Sequence, residues 1–235
     1  NSKNPHKKLT KTNFLHNIKC GDTMLEIQKI TLENELKYDN TLILKYTITY
    51  PKIISDKYMY GIEKFNHLNQ INAFKTKLYA EKNLFSMAKQ DFEYNKSNGY
   101  PIFVYELILE TTITYNDKNI LSLYQKEYTY TGGAHGSTIM SAQNWNILVG
   151  KQFLLNDFYK NDSSYLLYIL QEINHQIQIQ EENNETAYFD NSCQLVLNNF
   201  KFDQFYLTKE NLAIFFQSYD IAPYSSGIPV FFIPK

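Results

Sequence analysis

From Phe103 to Tyr115, the residues Phe103, Tyr105, Leu107, Leu109, Thr111, Ile113 and Tyr115 alternate with Glu106, Glu110, Thr112 and Thr114. A period of two places successive side chains on opposite faces of an extended chain, so the run reads as a strand with one wet and one buried face. The turn Asn116 to Asn119 and the apolar run Ile120 to Tyr130 make it one arm of an antiparallel hairpin. An apolar sheet face has to be covered. The cover is predicted upstream, where Ile71, Phe74, Leu78, Phe85, Ala88 and Phe92 recur at helical steps. They make residues 62–94 one long amphipathic helix, stopped by Gly99 and Pro101.

The same alternation in Leu42, Leu44, Tyr46, Ile48 and Tyr50 predicts a strand that Pro51 ends. The Tyr38 to Asn40 turn pairs it with a strand over Met24 to Leu36. Past the glycine cluster Gly132 to Gly136, another strand is expected up to Val149, with Gly150 as punctuation. Asn161 or Asp162 can cap a second helix whose stripe is Leu166, Ile169, Leu170, Ile173 and Ile177. That helix should end near Gln180, followed by a polar loop from Glu181 to Glu185. Short strands over Phe205 to Thr208, Leu212 to Gln217 and Ile228 to Ile233 close the chain. The predicted class is α+β, with antiparallel sheets packed against two amphipathic helices. Strands and helices do not alternate regularly, so a doubly wound nucleotide fold is not supported. The expected organisation is a flexible tail over 1–19, an α+β domain over 20–150 and a second over 151–235, the two packed as one unit.

Charge narrows the partners. The 23 basic and 24 acidic residues leave a formal charge of -1, and every basic residue is lysine. Neither a positive field nor a guanidinium fork is available for phosphate or base recognition, so nucleic acid is not an expected partner. No stretch approaches the ~18 apolar residues of a spanning helix, and an anchor upstream of residue 1 is compatible with the lysine-rich, polar start. No zinc, nucleophile-elbow or phosphate-loop pattern occurs, so no catalytic residue, metal or cofactor is predicted. Cys20 and Cys193 form no C-x-x-C; they read either as two separate buried thiols or as one disulfide.

Two segments concentrate unusual residues. In Thr131-Gly132-Gly133-Ala134-His135-Gly136, three of the chain's eight glycines fall within five positions. That density implies positive φ or close backbone approach. His135 is then either presented to a ligand or holds the turn by bonding nearby backbone; the second role is favoured, because catalysis by a lone histidine needs an orienting partner. If the bonded groups are buried, losing the imidazole should cost about 1–3 kcal/mol. The second segment is Tyr219 to Gly227, a long loop carrying Tyr219, Pro223 and Tyr224. Tyrosines there can stack on sugar rings, anchor a protein partner or plug the core edge. Trp145 is a candidate sugar platform or a core aromatic, and His175, opposite the second helical stripe, should be solvated.

At these residues the chain resembles a known bacterial architecture. Tyr130-Thr131-Gly132-Gly133-Ala134-His135-Gly136, Asn144, Gly150-Lys151 and Leu155-Asn156-Asp157-Phe158 are similar to the tandem extracytoplasmic domains of the lysozyme-sensing anti-sigma-V factor and of peptidoglycan deacetylase accessory regions. Tyr50-Pro51, Phe205-Tyr206-Leu207-Thr208, Phe215-Phe216 and the closing tyrosine, proline and glycine pattern extend the likeness over Cys20 to Lys235. Ser225-Ser226 departs from it, standing where a small apolar pair is usual. Nothing resembles the anti-sigma factor's membrane span or the deacetylase's metal-binding catalytic domain.

The resemblance implies an extracytoplasmic, periplasmic or secreted module that binds or senses without catalysis. Its expected partner is a cell-wall glycan of peptidoglycan type or a lysozyme-like protein. The expected ligand surface is Tyr130, Gly132, Gly133, His135, Gly136, Tyr219, Pro223 and Tyr224. The alternative is an enzyme or accessory domain of peptidoglycan modification, and an inhibitor of a lysozyme is a third reading. In an exported protein the oxidising compartment favours pairing of Cys20 with Cys193. The glycine-histidine loop is expected to join two antiparallel strands and to lie beside the closing segment.

Overall fold

A computed structural model describes residues 24–159 and 164–234. The expected tail, Cys20, Asn161 and Asp162 lie outside them. Strands β1 (Glu26–Tyr38), β2 (Thr41–Ile54), β3 (Tyr105–Asp117), β4 (Ile120–Tyr130), β5 (Ser137–Asn146) and β6 (Lys151–Gln152) form one sheet in chain order. The β1–β2 and β3–β4 hairpins turn through Asp39 and Asn40, and Lys118 and Asn119, all at positive φ. That backbone matches the right-handed twist of the paired strands. The sheet is not wholly antiparallel: Leu44–Ile48 of β2 run parallel to Tyr105–Leu109 of β3. The helical crossover between them brings the chain back in the same direction, as a βαβ unit requires.

Pro51 does not end β2. It pairs with Lys29 inside the strand. The β2–β3 ladder stops at Ile48, so beyond it β2 has a side with no ladder to break, where a residue without an N–H is tolerated. Phe103 precedes β3 instead of opening it, and β5 stops at Asn146, where the Gly150 amide closes a turn onto the Asn146 carbonyl at 2.9 Å.

The crossover is α1 (Tyr60–Tyr79), a π-helical turn over Ala80–Leu84 and α2 (Phe85–Asn98). Its buried face is Ile62, Phe65, Asn69, Ala73, Ala80, Leu84, Ala88 and Phe92. The expected stripe is therefore half wrong: Ile71, Phe74 and Leu78 lie on the opposite face and are exposed. α1 carries two apolar stripes, and the one with smaller residues faces the sheet because Asn69 there exchanges hydrogen bonds with Gln143 of β5. Steps of four from Ala80 to Phe92 would drift around an α-helix; the wider π turn takes up that drift.

Beyond β6, α3 (Tyr165–Glu182) starts behind Ser164 and buries Ile169, Ile173 and Ile177, while His175 is exposed. The sequence reading missed α4 (Ser192–Asn199). A second, antiparallel sheet follows: β7 (Phe205–Leu207), β8 (Asn211–Phe215) and β9 (Val230–Pro234). Its two faces are sorted by alternation. Tyr206, Ala213 and Phe215 pack with Met140 of β5, whereas Phe205, Leu207, Leu212, Ile214, Phe231 and Ile233 pack with the α3 stripe. The order of layers is α1/α2, first sheet, second sheet, α3. Trp145 is core: 2% exposed and edge-on to Phe65 at 5.7 Å, it donates its indole N–H to Gln143 Oε1.

The sheets are joined by polar groups as well as by apolar packing. Ser122 of β4 donates to Asn144 Oδ1 at 2.7 Å and accepts the backbone N–H of Leu207 at 2.8 Å. Asn144 in turn donates to the Phe205 carbonyl at 2.8 Å. Ser122 and Asn144 thus satisfy β7 backbone that would otherwise be buried without partners.

Candidate functional site

The Tyr130–Gly136 loop carries the chain from β4 into antiparallel β5. Gly132 and Gly133 take φ of +97° and +89°, a region open to glycine at little steric cost. Gly136 is required for a different reason. A Cβ there would stand 2.4 Å from a Tyr128 ring carbon and 2.6 Å from the Thr129 carbonyl oxygen. Tyr130 braces the loop, its hydroxyl donating to the Gly133 carbonyl at 3.1 Å and its ring meeting Phe103 edge-on.

The closing segment is held against this loop. Gln217 leaves β8 and reaches the outer edge of β5: the Met140 N–H donates to Gln217 Oε1 at 2.9 Å, and Gln217 Nε2 donates to the Met140 carbonyl at 2.7 Å. A tight turn follows, closed by Asp220 N–H to the Gln217 carbonyl and by Gln217 N–H to Asp220 Oδ2. Tyr219 sits in that turn at φ +70°, where a side chain other than glycine is strained by about 1–2 kcal/mol. Pro223 leads into a short 3₁₀ turn, Tyr224–Ser226, and Ser226 Oγ donates to the Ala187 carbonyl at 2.8 Å.

The two segments meet ring to ring. His135 stacks on Tyr224 with centroids 3.9 Å apart and planes 17° apart, and Tyr224 stands 5.9 Å from Tyr219. The Gly136 carbonyl ties the junction, accepting the Tyr224 hydroxyl at 3.1 Å and facing His135 Nδ1 at 3.0 Å. A carbonyl partner makes Nδ1 the protonated nitrogen and leaves Nε2 with its lone pair when the ring is neutral. Beside the rings lies a shallow cavity of about 160 Å³, lined among others by His135, Thr138, Ile139, Gln217, Tyr219 and Tyr224. Tyr219 is 57% and Ile139 61% exposed.

Of the residues singled out in the sequence, His135, Gly136, Tyr219 and Tyr224 border this cavity, while Tyr130, Gly132, Gly133 and Pro223 shape the loops behind it. The sequence reading missed Thr138, Ile139 and Gln217, which become neighbours only through the β5 edge. The expected loss of about 1–3 kcal/mol for His135 assumed buried partners. His135 is exposed, and its partner carbonyl keeps the Tyr224 hydroxyl, so the imidazole's share of stability is smaller. Cys193 is exposed on α4. Among the described residues no three His, Cys, Asp or Glu gather as a metal site, and no helix is long and apolar enough to cross a membrane.

Comparison with known proteins gives a tandem. Residues 37–138 match the family model described as deacetylase PdaC, and residues 156–235 match that of a protein of unknown function, DUF3298. The two matches stand in tandem, the pair of domains to which the glycine-histidine loop and closing segment pointed. A solved DUF3298-family protein from Bacteroides fragilis shares the fold at a TM-score of 0.66 and 18% identity, over 91% of this chain and 92% of that one. A second, from Pseudomonas aeruginosa, gives 0.56 and 17% over the same shares. No curated protein matches the chain.

Proposed function

We propose that the chain is a non-catalytic binding or sensing module of the bacterial cell envelope, acting outside the cytoplasm on peptidoglycan-type polymer through the His135–Tyr224–Tyr219 ledge. One observation carries the proposal: rings from segments more than 80 residues apart are locked side by side at the surface, one of them at a strained φ. Strain retained at an exposed aromatic points to a use outside the fold. Flat, partly exposed rings next to a shallow, mostly apolar cavity suit a sugar face or a peptide. The match of residues 37–138 to a deacetylase family supports the peptidoglycan context. A glycan hydrolase would need two carboxylates converging on a cleft. At this ledge the nearby carboxylate, Asp220, is engaged with the Gln217 N–H.

The test is retention of the protein on purified insoluble peptidoglycan, with immobilised lysozyme in parallel. The proposal expects retention on peptidoglycan, no release of reducing ends or acetate, and loss of retention in Tyr219→Ala and Tyr224→Ala at unchanged circular dichroism. Capture by lysozyme alone would make the partner a protein and overturn the polymer assignment. Turnover of the polymer would overturn the non-catalytic one.

A further inference from the structure

An exposed strand edge is a row of unpaired N–H and C=O groups, which folded proteins normally cover. In an antiparallel pair only alternate residues of a strand bond their neighbour, and the others point both groups to the far side. The Gln217 clasp shows that Met140 is an outward-pointing residue of β5. Gly136, Thr138, Ala142 and Asn144 share its parity. Three of these five positions are filled: the Gly136 carbonyl takes the Tyr224 hydroxyl, Met140 takes the Gln217 amide, and the Asn144 carbonyl takes the Phe153 N–H at 2.6 Å. Ala142 has no such bond among the described residues but packs against the cluster of Met140, Tyr206 and Phe215. Thr138 lies between the two closing-segment plugs, and no hydrogen bond among the described residues occupies its outward N–H and C=O. The cavity opens at that position.

We infer that this gap is a peptide-reading slot: Thr138 pairs through its N–H and C=O with the C=O and N–H of one residue of an extended peptide ligand. The Gln217 amide, two residues along the same edge, is the internal template for such a two-point bond. The slot admits one residue, because Gln217 and Tyr224 block the edge on either side. The free volume of about 160 Å³, roughly five waters at their liquid share, leaves no room for a large side chain. A small side chain is therefore expected, beside the Tyr219 and Tyr224 rings. A trans acetamido group presents its N–H and C=O on opposite sides and cannot make both bonds, so the slot favours peptide over sugar. This deepens the ledge assignment and rests on it, placing the peptide part of the polymer in the slot.

The experiment titrates ¹⁵N-labelled protein with N-acetyl-trialanine amide, its analogue N-methylated at the central residue, and N-acetylglucosamine trimer. The trialanine probe should shift the Thr138 amide saturably. The N-methyl analogue, lacking one donor, should bind about tenfold more weakly, and the sugar should leave the Thr138 amide unmoved. Gln217→Ala, which frees Met140 as a second pairing residue, should strengthen peptide binding. Equal binding of the methylated and unmethylated peptides, or no shift at Thr138, overturns the slot even where peptidoglycan is retained. A Thr138 shift in a protein that peptidoglycan does not retain would support the slot and defeat the polymer assignment instead.

Discussion

Replacing Ser122 by alanine removes the central atom of the joint between the two sheets. Ser122 Oγ donates to Asn144 Oδ1, accepts the Leu207 N–H and accepts the Thr114 hydroxyl at 3.2 Å. The Leu207 N–H is the costly loss, because Leu207 is 2% exposed and water has no route to it. Leaving it unpaired costs about 1–3 kcal/mol, and the loss of the Asn144 contact adds about 1. The expected total of roughly 2–4 kcal/mol lowers the thermal midpoint by roughly 5–15 °C for a chain of this size. Ser141→Ala, exposed on neighbouring β5, is the control and should stay within about 0.5 kcal/mol. The assay is thermal unfolding followed by far-ultraviolet circular dichroism and by the fluorescence of the single tryptophan, Trp145, which reports the α1 face of the first sheet. We propose that the two halves unfold as one, so both probes should give one midpoint in the native protein and one lowered midpoint in the variant. A loss below about 1 kcal/mol would refute the joint's importance; separated midpoints would refute the single unit.

The remaining expectations concern the loops and one half-buried acid. Gly136→Ala, whose Cβ meets a ring and a backbone carbonyl, should destabilise by about 3 kcal/mol, whereas Gly133→Ala, strained but in open space, should cost about 1; equal losses in chemical denaturation would contradict that account. Tyr219→Gly relieves the left-handed strain and should hold or raise stability by up to about 1 kcal/mol while abolishing peptidoglycan retention, so a clear fall in the melting midpoint would show that no strain is stored there. Burial raises the pKa of the Glu127 carboxyl on β4, against a smaller lowering by the Thr76 hydroxyl. The native state therefore holds that proton more tightly than the unfolded chain, and its contribution to stability falls as pH rises from the unfolded value through the raised one. Glu127→Gln should thus stabilise at neutral pH, with the gain vanishing in acid; a gain independent of pH in denaturant titrations would count against burial as the cause.

Where local chemistry decides, the sequence is readable. The β3–β4 hairpin follows from alternation up to Ile113, where a shift in register turns Tyr115 to the opposite side of the sheet from the one expected, toward the α3 cluster. Asp39-Asn40 and Lys118-Asn119 name their own turns. The Ile169, Ile173 and Ile177 stripe is the one α3 buries. The misreadings arise where a distant partner decides. Ile71, Phe74 and Leu78 outscore Asn69 and Ala73 on apolarity, but Asn69 is core because Gln143 lies opposite it. Pro51 stops a strand only if a ladder runs past it. Both site loops announce themselves through glycine crowding and clustered aromatics, yet Thr138 and Gln217 carry no local signal. What matters in them is edge parity and a contact 77 residues long.

The site also bears on why the two matched regions occur together. His135, Gly136 and Thr138 fall in the region matched to the deacetylase family, and Gln217, Tyr219 and Tyr224 fall in the DUF3298 region. Neither region alone makes the ledge: without the closing segment the start of β5 would present a bare edge prone to pairing with any strand, and without the first region the Tyr224 hydroxyl would lose its Gly136 acceptor, while Met140, which holds the Gln217 amide, lies between the two matches. The Ser122–Asn144 joint fixes β7, from which the chain turns through β8 into Gln217. Its hydrogen bonds hold β7 against β4 and β5, and through β8 they bear on where Gln217 meets β5. A change at the joint should therefore reach the ligand without touching the cavity.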